Sequence, residues 1–165
     1  MLDVRIASLG SGVHRFHLEP APGDLDLTDE AFDDVGFEAI EADVTLDLTP
    51  TRIVASFHAR AVAHLLCDRT LEPFSQPVEG AYTVLFTADA EMAEAGGDDV
   101  RFFTPAEPSI DLAEPVRDTL LLALPTRRVA PGAEDADLPM QFGAGEDMDP
   151  RWETLRRLRD GEPLN

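Results

Sequence analysis

The sequence predicts an α+β domain: a curled, mainly antiparallel β-sheet, partly barrel-like, with one buried helix packed on it and a short C-terminal helix. Three observations carry this reading. Ile40, Ala42, Val44, Leu46 and Leu48, and then Ile53, Ala55, Phe57, Ala59, Ala61, Ala63 and Leu65, fall at alternate positions, the period of strands with one buried face. Only Thr49-Pro50-Thr51 separates the two runs, so they form an antiparallel hairpin. From Asp111 the apolar spacing changes to that of a helix, which Pro125 ends.

The elements follow in order. Val4-Arg5-Ile6 and Phe16-His17-Leu18 read as short strands. Between Asp24 and Asp47 there are ten acidic residues and no basic one, and residues 23–36 read as a solvated, flexible loop. After the long hairpin, Val78 to Phe86 continues the meander as a third strand. Residues 89–99 read as an acidic loop and Val100 to Phe103 as a short edge strand. Asp111 then precedes a helix, with Glu114 as an acidic analogue of a capping box and Pro115 within the first turn. Leu112, Val116, Thr119, Leu120 and Ala123 share one face, widened by Leu121, Leu122 and Leu124, so aspartate at Leu112 or Leu120 should unfold the chain. Residues 130–148 read as a flexible acidic loop. Asp149, with Pro150 at the first helical position, starts a last helix through about residue 159.

The 165 residues fit one domain spanning 1–165, long enough to bury a core. There are 33 acidic and 13 basic residues, a formal charge of −20, and every basic residue is an arginine. Such a charge normally repels phosphate. It is equally the surface of a protein adapted to concentrated salt, where charges are screened within about 3 Å at 1 M. On the halophilic reading the charge says little about partners. No apolar run spans a bilayer and no signal peptide is evident. A single cysteine excludes an internal disulfide, and the expected location is cytoplasmic.

Enzyme signatures are missing. Gly10-Ser11-Gly12 is too short for a phosphate loop, and there is no Gly-x-Ser-x-Gly elbow. His58 and His64 face one side of a strand about 20 Å apart, too far to share a metal. His14 and His17 lack companion ligands. No catalytic, cofactor or metal site is expected; a metal-dependent hydrolase would need a convergent His/carboxylate pocket. Cys67 ends an apolar strand and reads as a buried small hydrophobe. Asp68 and Glu72 should raise its pKa, with Arg69 opposing them. Arg151, Arg156, Arg157 and Arg159 surround Trp152, and Arg127 and Arg128 follow the buried helix. Arginines beside an aromatic suit RNA, but on chemistry alone a docked helix with cations at its C-terminus accounts for them better.

Three segments, in order, resemble one bacterial family. They are Cys67-Asp68-Arg69-Thr70-Leu71-Glu72-Pro73-Phe74, the stretch from Ile110-Asp111-Leu112 to Leu121-Leu122-Ala123-Leu124-Pro125, and Asp149-Pro150-Arg151-Trp152 with Leu155-Arg156-Arg157-Leu158. Over about residues 40–159 the chain is similar to the YceD family, the large ribosomal RNA subunit accumulation proteins. The matching motif residues are Cys67, Arg69, Leu71, Pro73, Phe74, Asp111, Leu112 and Pro125. Many members carry a second cysteine where Thr70 stands, and more after the helix, in an arrangement like a zinc site. Residues 126–137 hold none here, so that metal is not carried over. The resemblance implies a non-catalytic ribosome-biogenesis factor supporting 23S rRNA accumulation and large-subunit maturation. Its partner would be 23S rRNA or its precursor, or, alternatively, a basic ribosomal protein bound without RNA contact. The candidate RNA contacts are Arg69, Arg127, Arg128, Arg151, Trp152, Arg156 and Arg157.

Overall fold

A computed structural model describes residues 1–27 and 35–133. The fold is α+β. Strands β1 (Asp3–Arg5), β2 (Gly12–Leu18), β3 (Gly36–Leu48), β4 (Arg52–Leu66) and β5 (Pro73–Thr87) precede helix α1 (Ala90–Ala95). Then come β6 (Val100–Phe102), β7 (Ser109–Asp111) and helix α2 (Ala113–Leu122). Five strands form one sheet in the order β2-β3-β4-β5-β6, antiparallel except for the parallel β5–β6 pair. β1 and β7 form a separate antiparallel pair. β2 and β6 are the two edges of the larger sheet, so it does not close into a barrel, and the partly barrel-like shape gains no support. The expected C-terminal helix lies outside the described residues.

Strict alternation organises the sheet. Ile53, Ala55, Phe57, Ala59, Ala61, Ala63 and Leu65 of β4 are all buried, and Cys67 continues the series. Their neighbours Ser56, His58, Arg60, Val62 and His64 point to the other face. In β3, Ile40, Ala42, Val44 and Leu46 are buried, whereas upstream it is Val35 and Phe37. The parity changes because the β3–β4 register skips between Glu38 and Glu41, with Ala39 in the left-handed region at φ 50°. One extra residue in one strand turns every later side chain over.

Helix α2 covers the buried face through Leu112, Val116 and Leu120, all fully buried. The floor beneath it is made of small residues. Ala59 of β4 pairs with Gly80 of β5. A Cβ on Gly80 would lie 2.7 Å from Thr119 Cγ2, 3.3 Å from the Thr119 carbonyl oxygen and 3.9 Å from Ala123 Cβ. The helix therefore rests on the strand at the one place where the strand has no side chain.

Several expectations are corrected by tertiary packing. Residues 23–36 are not simply a solvated loop: Pro22–Leu25 forms a 3₁₀ turn, and Leu25, Leu27 and Val35 are buried. Residues 89–99 contain α1, capped by Asp89, whose carboxylate accepts from the Glu91 and Met92 amides at 3.0 and 3.2 Å. The helix expected directly after Asp111 begins at Ala113, because Ser109–Asp111 is strand β7. Asp111 still serves the helix start: its Oδ1 accepts the Ala113 amide at 2.8 Å and the Leu2 amide at 2.9 Å. Glu114 pairs with Arg101 at 3.0 Å instead of closing a capping box. Of the stretch expected to be loop at 130–148, Ala133 is buried while Pro131 and Gly132 are exposed, and residues 134–148 lie outside the described residues.

Gly80→Ala should cost about 1–3 kcal/mol by overpacking. Thr119→Ser, which deletes the nearest atom, should recover part of that loss in the double variant, as read by denaturant unfolding. Leu120→Asp should leave no cooperative transition, because it buries an unpaired charge.

Candidate nucleic-acid interface

The β4–β5 hairpin ends in a fixed turn. The Cys67 amide donates to the Glu72 carbonyl and the Leu71 amide to the Cys67 carbonyl, both at 2.9 Å. Leu71 is held in the left-handed region at φ 57°. Pro73 then opens β5, where a missing N–H at a strand's first residue costs least. Beyond α2 the chain returns to this turn. The Asp68 amide donates to the Arg128 carbonyl at 2.7 Å, and the Arg128 amide donates to Asp68 Oδ2 at 2.8 Å. Two residues on, the Ala130 amide donates to Cys67 Sγ at 3.4 Å.

This clamp brings together Arg69, Arg127 and Arg128, three of the seven candidate contacts. Arg127 is exposed, and Arg69 and Arg128 are half-buried. Arg151, Trp152, Arg156 and Arg157 lie outside the described residues. Two exposed leucines stand at the same end: Leu66, 44% exposed, and Leu71, 76% exposed. Periodicity places Leu71 in a loop and gives no sign of its exposure or of its backbone conformation.

The histidines do not converge. On the face of the sheet opposite α2, His17 contacts Asp43 at 2.7 Å and Glu19 at 3.4 Å. His58 faces Glu79 at 3.6 Å and His64 faces Glu38 at 3.2 Å. Arg60 reaches Asp43 at 2.8 Å and Glu41 at 3.4 Å. These are exposed side-chain pairs, mostly cross-strand, in which His17 and Arg60 share Asp43. The side chain of His14 is turned to the Gly10 carbonyl at 2.8 Å. Asp43 raises the His17 pKa through their hydrogen bond. In return His17, and then Arg60, hold the Asp43 carboxyl below its ordinary value.

A family model described as the large ribosomal RNA subunit accumulation protein YceD matches residues 55–159, more than half of the chain. The chain belongs to the YceD family. No curated protein and no solved structure matches it. The family's name ties the chain to accumulation of the large subunit's ribosomal RNA. No described helix is long and apolar enough to cross a membrane.

Most of the YceD motif residues here explain themselves as architecture. Cys67 and Leu112 are fully buried, Phe74 packs against the core, Asp111 accepts two amides, and Pro125 lies beyond the end of α2. Arg69 and Leu71 are left as the members of the motif that stand at the turn itself. The Cys67 thiol is lowered to about 7 by the Ala130 amide first, and then by the hydroxyl and amide of Thr70. That corrects the expectation of a raised value: donors aimed at the sulfur outweigh its desolvation. A metal such as the cysteine-rich YceD members suggest does not fit. No group of three His, Cys, Asp or Glu side chains gathers among the described residues, and amide and hydroxyl donors already engage the one sulfur.

Two measurements check these electrostatics. Folding raises the His17 pKa above 6.5, so its contribution to stability is full below 6.5 and fades as pH rises through the raised value. Asp43 is depressed, so its contribution is present above 3.8 and is lost as pH falls through the lowered value. NMR titration of His17 should return toward its ordinary value in Asp43→Asn. Thr70→Val should move the Cys67 thiol upward, toward the ordinary cysteine range, as followed by thiolate absorbance against pH.

Proposed function

We propose that this protein is a non-catalytic factor in maturation of the large ribosomal subunit. It supports 23S rRNA accumulation by binding the precursor RNA, acts in the cytoplasm, and uses no cofactor or membrane. The whole chain, 1–165, works as one YceD-like domain. The observation that carries the reading is the clamp between Asp68 and Arg128. It sets Arg69, Arg127 and Arg128 on neighbouring backbone in a chain whose net charge is −20. Arginine forks match phosphate geometry, and an acidic remainder leaves one end of the molecule as the favourable approach for a polyanion. Arg151, Trp152, Arg156 and Arg157 are the further candidate contacts of the sequence, Trp152 as the side chain suited to stack on an unpaired base. The net charge favours a second reading, an acidic module that holds a basic ribosomal protein without touching RNA.

Ultraviolet crosslinking of the tagged protein in its own cells, at their native salt, separates the two. RNA binding predicts reads concentrated on one region of the 23S precursor and lost on Arg127→Glu/Arg128→Glu. In vitro, affinity should fall with salt by a log–log slope of about 0.7 for each phosphate neutralised on a single strand. An empty crosslink from protein that still sediments with large-subunit precursors would transfer the assignment to a ribosomal-protein partner.

A further inference from the structure

We infer that Leu71 is the apolar contact of this interface, and that the RNA it meets offers an unpaired base beside its phosphates. The inference rests on the RNA-binding reading above. Leu71 is 76% exposed and so contributes little to the core. Its backbone sits at φ 57°, a conformation that glycine, asparagine or aspartate adopts at lower cost than leucine. The other non-glycine residues at positive φ are accounted for. Asp26 is a residue type suited to that region, and Ala39 forms the bulge of β3. Neither packing nor backbone geometry calls for leucine at position 71.

The turn presents this side chain rigidly. The Leu71 amide is tied to the Cys67 carbonyl, the Cys67 amide to the Glu72 carbonyl, and the Glu72 amide to Thr70 Oγ1 at 3.4 Å. A side chain carried on fixed backbone loses little entropy on binding. Among the described residues the turn and the returning segment carry both signs of charge: Arg69, Arg127 and Arg128, with Asp68 and Glu72. The Asp68 carboxylate already accepts the Arg128 amide.

An apolar side chain among arginines matches a ligand that is both anionic and apolar. A basic protein segment would meet the arginines with like charge. An RNA duplex satisfies phosphate contacts but hides its base faces in the stack, leaving leucine nothing to cover. An unpaired nucleotide offers both surfaces, and covering a base face is sequence-tolerant because every base has one.

The test is fluorescence anisotropy with the full chain, a labelled unstructured single-stranded RNA and a labelled RNA hairpin duplex of equal length. The variants are Leu71→Asn, Leu71→Gly and Arg127→Glu/Arg128→Glu. The wild type should bind the single strand more tightly than the duplex. Leu71→Asn and Leu71→Gly should melt at the wild-type temperature or above. They should weaken single-strand binding about tenfold while leaving duplex binding unchanged. The arginine variant should lose both RNAs. Lowered melting temperatures with unchanged binding would assign Leu71 to the fold and overturn the inference. Equal wild-type affinity for the two RNAs, unaffected by Leu71 substitution, would overturn it too while sparing the RNA reading. Failure of the wild type to bind either RNA would overturn the RNA reading itself.

Discussion

The close approach of helix α2 to the sheet at Gly80 is the constraint on which the rest depends. Only a strand position without a side chain lets Thr119 come so near, and Ala59 beside it keeps the floor low. The seating of α2 decides where the chain leaves the sheet after Pro125. That exit brings the following residues back to the β4–β5 turn, where Arg128 and Asp68 exchange two hydrogen bonds. A packing requirement in the middle of the domain thus fixes the composition of a surface at its end. The same argument fits the uneven bulk along β4, where Ala59, Ala61 and Ala63 lie between the large buried side chains of Phe57 and Leu65.

The charge of the molecule is divided rather than uniform. On the face of the sheet opposite α2, acidic side chains of β3 and β5 are met by His58, Arg60 and His64 of β4, and Asp43 also by His17 of β2. Beside α2, Arg101 meets Glu114 and Arg117 meets Asp118. These arginines balance local carboxylates at exposed or half-exposed sites, where such pairs add little to stability. Their effect is to keep the strands of an acidic protein from repelling one another. Arg69, Arg127 and Arg128 stand apart from these pairs in position, gathered by backbone hydrogen bonds at one turn.

Local pattern made much of the fold legible. Alternation located β3, β4 and the later half of β5, and Leu112, Val116 and Leu120 lie in the core as expected, whereas Leu122, expected to widen that buried face, is 87% exposed. What stayed hidden was set by distant partners. The switch of parity at Ala39 needs knowledge of the register against β4. Leu25 and Leu27 sit in an acidic, turn-rich stretch, and only the tertiary core shows that they are buried. Ile110-Asp111 belongs to a strand because Val4 pairs with Ile110, although the same letters read naturally as a helix entry. At the candidate interface, resemblance pointed to Arg69 and Leu71, but the contact between residues 68 and 128 is a property of the folded chain. The exposure and backbone strain of Leu71 have no signature in hydrophobic periodicity.

The carboxylate of Asp111 joins the Leu2 amide to the Ala113 amide, and the first of these bonds links residues 109 positions apart. During vectorial synthesis, β1 leaves the ribosome long before its strand partner β7 exists. β1 must wait, unpaired, while the entire β2–β5 meander is translated and free to assemble. Strand β1 is therefore made early and secured late. Its attachment arrives together with the helix that covers the core, so one late event closes the domain at both places.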